Sequence, residues 1–125
     1  MTDKDRKNAM MEMEFLKVLK GPTLIKSYAA FIESNYINIV MEYAEAGSLD
    51  QLIQRNYIQG KKFEYEQIMS FIAQITLGLM CIHSKSILHR DIKTQNIFIT
   101  KNGVLKIGDF GISRQLSNTE EFATT

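Results

Sequence analysis

Apolar residues recur at helical spacing in two long stretches of this chain and cluster with strand-like density in four shorter ones. Over 5–20, Glu12, Phe15, Leu16 and Leu19 fall on one helical face by the i, i+3, i+4, i+7 rule, and Gly21-Pro22 ends the helix. Two strand candidates follow, 25–31 and 36–41, joined around Glu33-Ser34-Asn35 and expected to form an antiparallel hairpin. Ser48 is suited to cap a short helix through Gln54, because its hydroxyl can accept from the first free amides. A polar link then runs to about Lys62. The strongest helical signal covers 65–84, where Ile68, Phe71, Ile72, Ile75, Leu79 and Ile82 predict burial along one side. Finally, Ile97-Phe98-Ile99 and Val104-Leu105-Lys106-Ile107 flank Lys101-Asn102-Gly103, whose Asn-Gly pair supplies the positive backbone angles of a tight hairpin. Pro22 is the only proline, and there is no internal repeat or low-complexity tract, so the chain reads as a single organised segment.

Composition narrows the setting. With 45% apolar and 23% charged residues over 125 positions, the chain is expected to be one soluble globular unit. Its 15 basic and 14 acidic side chains nearly cancel, which argues against non-specific binding of nucleic acid or an anionic membrane. The one cysteine, Cys81, has no intrachain disulfide partner, and the polar start from Met1 to Lys7 does not read as a secretory leader. Both suggest a reduced, intracellular setting. Apolar runs such as 37–41 are too short to cross a bilayer, and the seven methionines suit core packing and imply no metal role.

Chemistry concentrates in two motifs. The first is His89-Arg90-Asp91-Ile92-Lys93-Thr94-Gln95-Asn96, and the second, beyond the predicted hairpin, is Asp109-Phe110-Gly111. Phosphoryl transfer from ATP to a hydroxyl requires a carboxylate to orient the hydroxyl, oxygen ligands for Mg²⁺ and a cation for the transferred charge. Asp91 would accept the hydroxyl proton and Lys93 would reach the γ-phosphate. Asn96 would give an amide oxygen to Mg²⁺, and Asp109 would bridge Mg²⁺ to the phosphates. His83 and His89 read as packing and hydrogen-bonding residues.

These motifs, in this order, resemble those of the protein kinases. Lys93, two residues after Asp91, is similar to the choice of serine/threonine kinases, so Ser or Thr of protein substrates is the implied acceptor. The wording from His89 to Phe98, with Gln95 and Phe98 as telling positions, and Gly108 to Arg114 resembles the NIMA-related kinases. That resemblance implies cytoplasmic roles in the cell cycle, at centrosomes or in cilia. It also implies an α+β, protein-kinase-like fold present in part: a small lobe over 1–41, a hinge over 42–47 and the start of a large lobe over 48–125. Met41 would be the gatekeeper, Glu42 and Ala44 would offer backbone groups to adenine, and Phe98 would floor the base, although Met41 and Phe98 also suit plain core. Glu12 would be the helix glutamate that pairs with a strand lysine, or else a solvated glutamate. Leu16, His89 and Phe110, with Tyr28, would stack as a regulatory spine. Arg90 and Arg114 would pair with a phosphate on the activation segment, at Thr125 or at Thr124.

Two family features do not occur in these residues. There is no Gly-x-Gly-x-x-Gly, and no Val-Ala-Ile-Lys-like strand precedes Glu12; the sequence also stops before an Ala-Pro-Glu-type anchor. The expectation is therefore a kinase piece, inactive alone and active when complete. Leu49, Ile53, Ile68 and the long helix would be left uncovered and prone to self-association. The competing expectation is a non-catalytic kinase-like interaction module.

Overall fold

The computed structural model describes residues 2–88, 91–108 and 114–115, without the side chains of Glu12, Phe15, Leu88, Arg114 and Gln115. Helix α1 (Asp3–Val18) begins two residues earlier than its apolar pattern predicts. The cause is a reciprocal cap, in which the Thr2 N–H donates to Asp5 Oδ2 at 3.0 Å and the Asp5 N–H donates to Thr2 Oγ1 at 3.1 Å. The helix also ends earlier, at Val18, and this releases Leu19 to drop into the core, where it is 2% exposed.

Strands β1 (Ser27–Glu33) and β2 (Tyr36–Met41) form the expected antiparallel hairpin, closing between Glu33 and Tyr36. Ser34 and Asn35 both take positive φ, 50° and 62°, the primed turn that matches strand twist. β1 starts two residues later than expected because the preceding backbone is committed elsewhere. The Ile25 N–H donates to the Ile107 carbonyl, and the Ile107 N–H donates to the Thr23 carbonyl, each at 2.9 Å.

Helix α2 (Leu49–Ile58) runs past the predicted stop at Gln54, and Gly60, at φ 66°, follows its end. Its start is as expected but better satisfied, since Ser48 and Gln51 form a reciprocal capping box. Leu49 was expected to be uncovered; it is 5% exposed, packed with Ile97, Ile99 and Leu105.

Helix α3 (Tyr65–Ser84) has the predicted bounds. Its predicted apolar face is only half covered: Ile82 is fully buried and Phe71, Ile75 and Leu79 partly so, whereas Ile68 and Ile72 are 43% and 51% exposed. The buried stripe is instead centred on Gly78, where the helix approaches Thr23 and Ile107 closely. With a mean hydropathy of 1.3, α3 is long and apolar enough to cross a membrane by length and composition, contrary to the expectation from its short apolar runs. It nevertheless packs against residues 105–107. Gln74 Oε1 accepts the Leu105 N–H at 2.8 Å, and Ile75 touches both apolar clusters.

β3 (Ile87–Leu88) pairs with β6 (Arg114–Gln115), and a 3₁₀ turn (Thr94–Asn96) leads into the hairpin of β4 (Ile97–Ile99) and β5 (Leu105–Ile107). The Asn-Gly turn predicted here is not a two-residue one. Only Gly103 takes positive φ, 82°, and Thr100 closes the wider loop by accepting the Val104 N–H on Oγ1 and the Gly103 N–H on its carbonyl.

This hairpin is the centre of the fold. On one side β5 bonds to 23–25; on the other, the Ala46 N–H donates to the Ile99 carbonyl at 3.0 Å and the Ile99 N–H to the Gly47 carbonyl at 2.8 Å. The two chain segments that lead into and out of the β1–β2 hairpin are thus both sewn to β4–β5. Leu19, Leu24, Ile82, Ile87 and Ile107 form one core under this seam, and Leu49, Ile97, Ile99 and Leu105 the other.

Candidate active site

Asn96 sits at the end of the 3₁₀ turn, 7% exposed, where an unpaired side-chain amide would be costly. Its Nδ2 donates twice at 2.9 Å, to the Asp91 carbonyl and to Asp91 Oδ2. Lys93 Nζ lies 3.5 Å from the same carboxylate oxygen. The turn is closed by the Asn96 N–H donating to the Lys93 carbonyl, and it is joined to β5 by the Gly108 N–H donating to the Asn96 carbonyl at 2.9 Å. Asp91, Lys93 and Asn96, three residues predicted to work together, therefore form one cluster.

With Nδ2 engaged by Asp91, the Asn96 Oδ1 accepts no hydrogen bond among the described residues. A buried carboxamide oxygen held in this way is a hard donor of the kind Mg²⁺ takes. Among the described residues there is no group of three or more His, Cys, Asp or Glu side chains that could hold a metal. Asp109, the second predicted ligand, lies outside the described residues, as do His89, Arg90, Phe110, Gly111, Thr124 and Thr125. The Arg114 backbone pairs with Leu88, next to the start of the catalytic loop.

The predicted adenine wall lies at the end of β2. Met41 pairs with Ser27 and is 49% exposed, so it is not plain core. The Ala44 carbonyl accepts from Gly47 at 3.3 Å, and its N–H makes no hydrogen bond among the described residues. The Glu42 N–H is already committed to the Lys26 carbonyl at 2.9 Å, so that amide is not available to a ligand. The half-buried Phe98 ring lies close to Gly108, where an added Cβ would stand 2.8 Å from its nearest carbon. Glu12 is in α1 as expected, and Leu16 packs at the edge of the core. Tyr28 does not join a buried spine. It is 61% exposed, with Lys26 Nζ 5.3 Å from its ring centre, a cation–π contact.

Sequence reasoning missed the Glu42 side chain. Its Oε1 accepts the Lys26 N–H at 2.8 Å and pairs with Lys106 Nζ at 3.3 Å, with both side chains largely buried. It also missed Asp50, which accepts from Gln54 at 3.0 Å and from the Thr94 hydroxyl of the 3₁₀ turn at 3.4 Å. The resemblance put Glu42 at a hinge after the second strand-like run, but no local periodicity could show its contact with a residue 64 positions away.

The protein kinase domain family matches residues 1–125. Serine/threonine-protein kinase Nek1 of Mus musculus is 42% identical over 125 residues, covering all of this chain and 10% of Nek1. Nek5 of Mus musculus is 43% identical over 123 residues, covering 98% of this chain and 19% of Nek5. Nek9 of Xenopus laevis is 36% identical over 126 residues, covering all of this chain and 13% of Nek9. The chain thus spans between 10% and 19% of the length of these curated relatives. The cluster at Asp91 and Asn96, the fold around it and these matches agree: the chain belongs to the protein kinase domain family and is similar to its Nek serine/threonine kinases.

Proposed function

We propose that this chain carries part of the catalytic machinery of a protein kinase that transfers the ATP γ-phosphate to Ser or Thr of protein substrates. The observation that carries the reading is the buried Asn96, whose Nδ2 fixes Asp91 with two hydrogen bonds while its Oδ1 accepts none among the described residues. In this reading Asp91 orients the acceptor hydroxyl and takes its proton, and Lys93 offers positive charge to the transferred group. Asn96, with Asp109, holds Mg²⁺, which would neutralise phosphate charge when bound. The Ala44 N–H and the Phe98 ring receive the adenine. Glu12, Arg90, Phe110, Gly111 and Arg114 serve regulation, with Thr125 or Thr124 as phosphate acceptor. The single cysteine and the similarity to Nek kinases support a reduced, cytoplasmic setting.

The test is phosphate transfer from labelled MgATP to a mixed protein substrate, by the chain and by any longer product that contains it. Asp91→Asn should lower the rate at least about 100-fold, as expected for loss of a positioned base. In a longer product that transfers phosphate, transfer by the Asp91→Asn variant equal to that of the parent would overturn the reading.

A further inference from the structure

Resting on the kinase reading, we propose that the Glu42 and Lys106 side chains are positioning residues that hold the two halves of the nucleotide site at a fixed separation. Glu42 directly follows β2, one residue beyond Met41 and two before Ala44. Lys106 is in the middle of β5, two residues before Gly108 and three before Asp109. A single carboxylate oxygen, Glu42 Oε1, holds both Lys106 Nζ at 3.3 Å and the Lys26 N–H at 2.8 Å.

Three strand ends are thereby gathered on one atom: the run into β1, the end of β2 and the strand that leads to the metal-binding aspartate. Backbone bonds make this connection only in two steps, from the Glu42 N–H to the Lys26 carbonyl and from the Ile25 N–H to the Ile107 carbonyl. The seam between 23–25 and β5 ends at Ile25, and that between 46–48 and β4 begins at Ala46, so residues 26–45 leave and return with no backbone bond to β5. The Glu42–Lys106 pair bridges this gap. Its side chains are 19% and 16% exposed, so solvent screens it far less than the exposed Lys17–Glu14 pair, at 67% and 70%. Adenine contacts lie on the Glu42 side and phosphate contacts on the Lys106 side. Loosening the tie should therefore weaken binding of the intact nucleotide while leaving Asp91 and its partners on their own turn undisturbed.

The experiment compares Glu42→Gln, Lys106→Met and the double variant that carries both, in a product that contains this chain and transfers phosphate; Gln keeps an oxygen for the Lys26 N–H. The KM for MgATP should rise about tenfold in each single variant, the equivalent of one largely buried contact. The kcat should stay within about threefold, and the double variant should lose little more than either single one. Unchanged KM, or losses that simply multiply in the double variant, would overturn the proposal. Asp91→Asn run beside them judges the kinase reading separately. If the parent transfers no more phosphate than that control, amide exchange at Gly108 decides the tie alone. It should quicken about tenfold in Lys106→Met, and an unchanged rate would refute it.

Discussion

Replacing Gly78 by alanine sets two effects of opposite sign against each other. Gly78 lies inside α3, where alanine is favoured over glycine by about 0.8–1 kcal/mol through backbone entropy. Packing opposes this. A Cβ there would stand 2.7 Å from Ile107 Cδ1 and 3.1 Å from both the carbonyl oxygen and Oγ1 of Thr23. The Ile107 methyl could turn a little, but Ile107 is 1% exposed and has nowhere to go. The Thr23 carbonyl is fixed more firmly, because it accepts the Ile107 N–H at 2.9 Å in the seam that holds β5. Relief therefore requires α3 to move off the hairpin, and overpacking of this kind costs about 1–3 kcal/mol. The expected net result is a loss of about 1 kcal/mol. Urea unfolding should show a lower midpoint at constant slope, with Ala73→Gly, at an exposed site on the same helix, measuring the propensity effect alone. A Gly78→Ala protein as stable as the parent, or more so, would show that the close approach constrains nothing.

Three further outcomes are expected. Gly108→Ala would put a methyl 2.8 Å and 3.0 Å from Phe98 ring carbons and 3.2 Å from Ile25 Cγ1, so MgATP affinity should fall roughly fivefold to tenfold, as for other overpacked contacts, and Phe98→Leu should restore most of it. Ser48→Ala removes one half of the α2 capping box and should cost about 1 kcal/mol by urea unfolding, whereas Ser48→Thr should cost much less. The Glu45 carboxyl is held below its ordinary value of 4.5, chiefly by its own backbone N–H and then by that of Lys101. Its contribution to stability is thus in place above that value and fades as the pH falls through the lowered folded value; Glu45→Gln should flatten the acid side of the unfolding-midpoint profile below pH 4.5.

The parts of the fold legible in the sequence were those governed by local rules. The bounds of α3 followed from apolar spacing, the β1–β2 hairpin from two β-rich runs and a polar turn, and the Ser48 cap from the chemistry of a hydroxyl before a helix. Asp91, Lys93 and Asn96 were legible because a short loop fixes their mutual positions almost regardless of the surroundings. Misjudged boundaries shared another cause. β1 starts late because 23–25 answer to β5, and α1 stops early because Leu19 is needed in the core, and both decisions are made by residues more than 60 positions away. Leu49 was misread for the same reason, its cover coming from β4 and β5.

Long-range placement also explains why glycines near the site carry information that their neighbours do not. Gly78 and Gly108 need no unusual backbone angle; each is small because something must come close, α3 to β5 in one case and the Phe98 ring to the approach to Asp109 in the other. The first contact falls on β5 and the second just beyond its end, and β5 also takes Gln74 from α3, Thr23 and Ile25 from the run into β1, and Glu42 from the end of β2. A strand of three residues has little strength of its own. Its position is set by these neighbours together, so a change at any of them should be felt first at Gly108 and Asn96, whose backbone bond joins β5 to the catalytic turn.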